Sequence, residues 1–175
     1  MVKNNLKENK MARGFLSLGD LKKIPGYPSE ERFKKGPVVV VECLEEIPCN
    51  PCETTCNKNV IKVGDPITNL PVLADESACN GCGNCVIKCP GLAIFVVDKT
   101  YSKDSATVAI PYELLPLPVK GAGVVCIDRK GNEVCEGTVL KVLSGKALNK
   151  TNVVTIIIPK EFADTVRFFK IKDIN

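Results

Sequence analysis

The sequence predicts an α+β chain of 175 residues in three parts: a basic arm over 1–36, a cysteine-rich unit over 37–99, and a small all-β barrel or sandwich over 100–175. Three observations carry this expectation. Eight of the ten cysteines fall between residues 43 and 89, in two runs that each lead into an apolar, β-branched segment. Beyond residue 100, short apolar runs recur between Pro, Gly and Asx turn signals with no helical period. The arm shows neither pattern and carries nine Lys or Arg against four Asp or Glu.

In the arm, Ser17 and Ser29 stand where a hydroxyl can cap a one-turn helix. Ser29-Glu30-Glu31-Arg32 puts carboxylates in a first turn and Gly36 supplies a stop. Pro25, Gly26 and Pro28 break the stretch between them, so the arm needs another surface to order it. Val38–Val41, Val60–Val63 and Ile94–Val97 read as the strands of the cysteine-rich unit. Thr107–Ile110, Val124–Asp128, Val134–Val142, Val153–Ile158 and Val166–Ile171 read as the strands of the last part, with Asp128-Arg129-Lys130-Gly131-Asn132 as a hairpin turn.

Composition narrows the chemistry. An apolar fraction of 45% and a charged fraction of 25% are those of a globular chain, and this length folds without crosslinks. There is no histidine, which excludes Ser/His/Asp and Cys/His triads, imidazole zinc sites, His-ligated haem and the Rieske centre. The first ten residues lack an apolar signal core, and runs such as Val38–Val41 are too short to span a bilayer. The chain therefore reads as cytoplasmic, where clustered thiols stay reduced and bind metal.

Cys79-Asn80-Gly81-Cys82-Gly83-Asn84-Cys85-Val86-Ile87-Lys88-Cys89-Pro90 is the C-x2-C-x2-C-x3-C-P run that holds a [4Fe–4S] cluster. Gly81 and Gly83 let the loop wrap three iron corners while turning backbone N–H groups toward sulfur. Cys89 lies one helical turn past Cys85 and must serve a different cluster. That demands a second motif, and Cys49-Asn50-Pro51-Cys52-Glu53-Thr54-Thr55-Cys56 supplies it at an offset of 33 residues, with Ile61 matching Ile94 and Val63 matching Val96. Glu46 stands where Cys79 has its counterpart, and Asn57 stands in place of Pro90.

Ligand counting then assigns Cys79, Cys82, Cys85 and Cys56 to one cluster. Cys49, Cys52 and Cys89 belong to the other, with Cys43 filling its vacancy. Glu46 as an oxygen ligand, or a three-cysteine [3Fe–4S] site, are the alternatives for that corner. Zinc is the rival metal, although zinc ribbons do not stack three cysteines at x2 spacing before C-x3-C-P. Ile47, Val60, Ile61, Val86, Ile87 and Ile94 are expected to keep the clusters dry. Glu42, Glu45, Glu46 and Glu53 form either a solvated acidic face or a field that lowers the nearer potential. Cys126 and Cys135 flank the hairpin turn as buried thiols, a redox pair or a third metal site.

From Cys43 to Val97 the sequence resembles bacterial two-cluster [4Fe–4S] ferredoxins, which implies two crossed hairpin-and-helix units around the clusters. Glu42–Glu53, Cys89–Phe95 and Pro111-Tyr112-Glu113-Leu114-Leu115-Pro116-Leu117-Pro118 resemble the small iron–sulfur subunits of multi-subunit FAD-dependent dehydrogenases of the proline, hydroxyproline or glycerol-3-phosphate type. Asn57 departs from the proline usual there. The resemblance implies a non-catalytic electron-transfer subunit, docked on FAD-containing partners and relaying single electrons between flavin centres or to an external acceptor; a free soluble ferredoxin is the alternative. Gly121-Ala122-Gly123 lacks the rest of a dinucleotide fingerprint. The formal charge of +4 falls near zero once eight thiolates and two cubane cores are counted, which removes the argument for a nucleic-acid partner.

Overall fold

The computed structural model describes residues 14–148 and 151–172; the sequence reading of residues 1–13 lies outside them. Helices are short. Ser17 caps α1 (Leu18–Leu21), accepting from the Asp20 N–H, and Ser29 caps α2 (Glu30–Phe33), accepting from the Arg32 N–H. The cysteine motifs contribute α3 (Pro51–Thr54) and α4 (Asn84–Lys88). Their starts stand 33 residues apart, matching the offset of the motifs.

Strands dominate. In chain order they are β1 (Val38–Val41), β2 (Ile61–Lys62), β3 (Val72–Leu73), β4 (Ile94–Asp98), β5 (Ser105–Tyr112), β6 (Gly123–Ile127), β7 (Glu133–Leu143), β8 (Asn152–Pro159) and β9 (Phe168–Ile171). Seven build one antiparallel sheet in the order β1-β4-β5-β8-β7-β6-β9, and β2 pairs with β3 separately. The expected strands are present, and β3 adds a pairing that two residues after Pro71 do not announce. β4 and β5 are neighbours, with Val97 opposite Val108, so strands on either side of residue 99 share the sheet. The architecture is mixed and strand-rich.

The run of four valines in β1 is buried to the last residue, because both faces of that strand are covered. Val38 and Val40 face a core shared with Leu16, Leu21, Ile24, Phe33, Val124 and Phe169; Val39 and Val41 face a second core with Val60, Ile61, Cys85, Val86 and Ile94. The arm thus finds its ordering surface on one face, and the cysteine motifs cover the other. Gly26 makes the arm's approach feasible. A Cβ there would lie 2.5 Å from the Val41 carbonyl oxygen, and its own carbonyl accepts the Val41 N–H at 2.9 Å.

Candidate metal centre

Each cysteine run is shaped by its loop. Gly81 and Gly83 take left-handed φ values of 68° and 81°, which non-glycine residues adopt at a cost. At Gly81 an added Cβ would also stand 2.6 Å from the Pro37 ring. The Cys82 N–H turns back to Asn80 Oδ1 at 3.2 Å. Arg32, buried to 5% exposure, fastens the start of this loop. It donates to the carbonyls of Glu76 at 2.7 Å and Cys79 at 2.6 Å, and also to those of Gly36 and Pro37. In the first run, Glu53 Oε2 accepts the N–H groups of Val63 and Gly64 at 2.8 and 3.0 Å.

The eight cysteines of the two motifs come together in two fours. Cys43, Cys49, Cys52 and Cys89 share the wall of a cavity of about 400 Å³, whereas Cys56, Cys79, Cys82 and Cys85 surround a much smaller one. Each four mixes the motifs: Cys89 has crossed to the first run and Cys56 to the second. Glu46 is absent from the larger cavity's wall, which includes Cys43. No group of three or more Cys, Asp or Glu among the described residues is arranged to hold a single metal ion; the sulfurs surround a space instead.

Burial first, then the neighbouring thiols Cys79, Cys82 and Cys56, push the Cys85 thiol up to about 12. Burial first, then Cys89, pushes Cys52 up to about 11. Cys85 and Cys52 therefore resist ionising without a neighbouring cation, and soft thiolates suit iron–sulfur clusters or zinc. Backbone donors are aimed at sulfur. The Val60 N–H lies 3.3 Å from Cys56, the Ala93 N–H 3.4 Å from Cys89 and the Val39 N–H 3.4 Å from Cys79. Cys56 is consequently held below the usual thiol value: its burial is outweighed by the N–H groups of Ile61, Val60 and Lys58. The residues fit a cluster.

The surroundings depart from the sequence reading at Glu42. Val60, Ile61, Val86 and Ile94 are buried beside the cysteines, and Ile47, although 52% exposed, lines the larger cavity with Cys43 and Cys49. Glu42 is not on a solvated face. Its side chain is 10% exposed between Arg129 and Arg167, and they hold its carboxyl below the usual range despite burial. Neither arginine could be found from the motifs, since each lies far along the chain. Cys126 and Cys135 stand opposite each other on β6 and β7, away from both fours.

Residues 72–95 match the family model described as a 4Fe-4S binding domain. Over a longer span the chain is similar to translation initiation factor rli1 of Schizosaccharomyces pombe, 28% identical over 144 residues, 74% of this chain and 24% of that protein. ABC transporter E family member 1 of Arabidopsis thaliana is 29% identical over 143 residues, 74% of this chain and 23% of its own length. Protein Pixie of Drosophila melanogaster is 28% identical over 142 residues, 70% of this chain and 22% of its own. The chain spans about a quarter of the length of these curated relatives. No solved structure matches it at a significant level.

These relatives correct three expectations. An electron-relaying subunit of a flavoprotein dehydrogenase is overturned, because the similar proteins are named for translation initiation and the ABC transporter E family. FAD-containing partners fall with it. The expectation of a non-catalytic oxidoreductase subunit also fails, since one relative is named as an ABC transporter family member, of whose length this chain matches 23%. No helix among the described residues is long and apolar enough to cross a membrane.

Proposed function

We propose that the chain is a cytoplasmic iron–sulfur module that holds two [4Fe–4S] clusters and serves the translation apparatus. One observation carries the cluster reading: each group of four thiols draws three cysteines from one region and one from the other motif. That crossing is what C-x2-C-x2-C-x3-C-P requires when its last cysteine serves a second cluster. Cys79, Cys82, Cys85 and Cys56 hold one cubane; Cys43, Cys49, Cys52 and Cys89 hold the other. Residues 37–99 then form a two-cluster ferredoxin-like unit, with the arm of 1–36 on one side and the strands of 100–175 extending its sheet. Bound there, a cubane supplies one-electron redox chemistry and a four-point crosslink. The chain's own groups supply N–H donors to sulfur, a dry apolar wall and the loop curvature of Gly81 and Gly83.

The place in translation rests on similarity to proteins named as initiation factors across most of this chain. Iron and sulfide analysis after anaerobic reconstitution tests the cluster count, with about eight of each expected per chain and broad absorption near about 400 nm. Stoichiometric zinc in their place, or two intact cubanes in Cys43→Ala, defeats the assignment. Recovery of tagged chain from its own cells tests the partner: it should accompany initiation factors, and its isolation as a lone monomer counts against a translation role.

A further inference from the structure

Cys43 is the ligand with the least local support. It lies six residues before Cys49, outside the C-x2-C loop, in a stretch from 42 to 50 that forms no helix or strand. Its neighbour Glu42 is tied at both ends. The Glu42 N–H donates to the Ala93 carbonyl at 2.8 Å, and the Ala93 N–H points at Cys89. On the side chain, Arg129 Nε donates to Oε2 at 2.8 Å and Arg167 Nε to Oε1 at 2.7 Å, while Arg129 Nη2 makes a second, short contact with Oε1.

Both arginines are themselves anchored. Arg129 Nη1 donates to the Asp164 carbonyl at 2.8 Å, and Arg167 Nη1 to the carbonyls of Ala163 at 3.0 Å and Val166 at 2.6 Å. The Arg167 guanidinium also lies 5.1 Å from the centre of the Phe95 ring. Arg129 sits in the β6–β7 turn and Arg167 just before β9, and Glu42, Cys43 and both arginines wall the same cavity. A forked donor gripping a carboxylate fixes direction as well as distance.

We propose that Glu42, gripped by Arg129 and Arg167, is the positioning residue for Cys43, so that strands far along the chain decide whether the Cys43, Cys49, Cys52 and Cys89 site keeps a complete cluster. This rests on the two-cluster reading. The other site depends on none of these groups, because Arg32 holds the Cys79 loop directly. A cubane corner without its thiolate leaves one iron unprotected; its loss as Fe2+ from a [4Fe–4S]2+ core leaves [3Fe–4S]0, which added ferricyanide, a one-electron oxidant, converts to [3Fe–4S]+ for EPR.

The experiment uses the full chain, reconstituted anaerobically, with iron analysis and EPR of the oxidised protein, in which a three-iron centre is paramagnetic and an intact cubane is silent. Wild type should hold about eight irons; a lower count overturns the two-cluster reading and this inference with it. Arg129→Gln and Glu42→Gln should each lose at least one iron and gain the three-iron signal, leaving the second cubane intact. Arg129→Lys, which keeps the charge without the fork, should recover part of the loss. Adding Arg129→Gln to Cys43→Ala should change neither readout further, since the two act on one corner. Wild-type iron in both single variants overturns the inference alone, as does loss of both clusters together, the mark of a merely structural network.

Discussion

Replacing Gly26 by alanine tests the contact between the arm and the sheet. The added Cβ would stand 2.5 Å from the Val41 carbonyl oxygen, 2.9 Å from Val41 Cβ and 3.3 Å from the Val41 carbonyl carbon. Two of those atoms are backbone in a fully buried strand, so β1 cannot give way cheaply. The arm must lift instead, stretching or losing the bond from the Val41 N–H to the Gly26 carbonyl. Overpacking of this kind costs about 1–3 kcal/mol and a lost hydrogen bond about 1 kcal/mol more, giving roughly 2–4 kcal/mol together. With a urea slope of about 1–3 kcal/mol per molar, the unfolding midpoint should fall by on the order of 1 M. Gly19→Ala is the control. It lies in α1, its nearest neighbour would be Ser17 Oγ at 3.9 Å, and alanine favours a helix by about 1 kcal/mol. Urea titration of the anaerobic protein by circular dichroism should therefore move the two midpoints in opposite directions. If Gly26→Ala unfolds with wild type, the arm does not lie against β1 as described.

Other outcomes follow from the same geometry. Phe169→Ala, at 1% exposure and with its ring 5.1 Å from Tyr112, should cost about 3–5 kcal/mol in denaturant titration. Burial raises the Asp164 carboxyl, but Lys99, Tyr27 and Arg167 outweigh it and hold the carboxyl below its usual range. Its contribution is complete above the unfolded carboxylate value of about 4 and is lost as pH falls through the lower folded value. Asp164→Asn should therefore flatten the decline of stability with acid, as read from midpoints between about pH 5 and 3. Cys126→Ala and Cys135→Ala should leave the iron content of the reconstituted chain at the wild-type value.

What could be read from the sequence was local. Ser17 and Ser29 cap their helices because the hydroxyl needs only the next turn, and the long β strands declare themselves through β-branched residues between turns. The grouping of thiols follows from spacing, since a cysteine one turn beyond its neighbours cannot reach the same cluster. The rest depends on distant partners. Glu42 reads as one more glutamate of an acidic run, and nothing within the motif signals that Arg129 and Arg167 will bury it. Ile47 lines the larger cavity as its apolar side chain suggests, yet its stretch leaves it 52% exposed. That β4 pairs with β5 is likewise hidden: strand signals give neither the order nor the extent of a sheet. The dehydrogenase resemblance, read over roughly residues 14–172 from three quoted segments, gave the wrong partners, since the relatives matched over most of the chain are named otherwise.

β1 is an outer strand of the seven, so two of its N–H groups face away from β4. One is taken by the Gly26 carbonyl and the other by the Cys79 sulfur. The edge that a second β chain would extend is thereby closed by the arm at one end and by the Cys79 loop at the other. Opening of the Cys79 end alone would free only the Val39 N–H, since Gly26 still holds that of Val41 and the arm still covers Val38 and Val40. The arm and the second cysteine loop, which are remote from each other in the chain, thus share the task of keeping this edge from pairing.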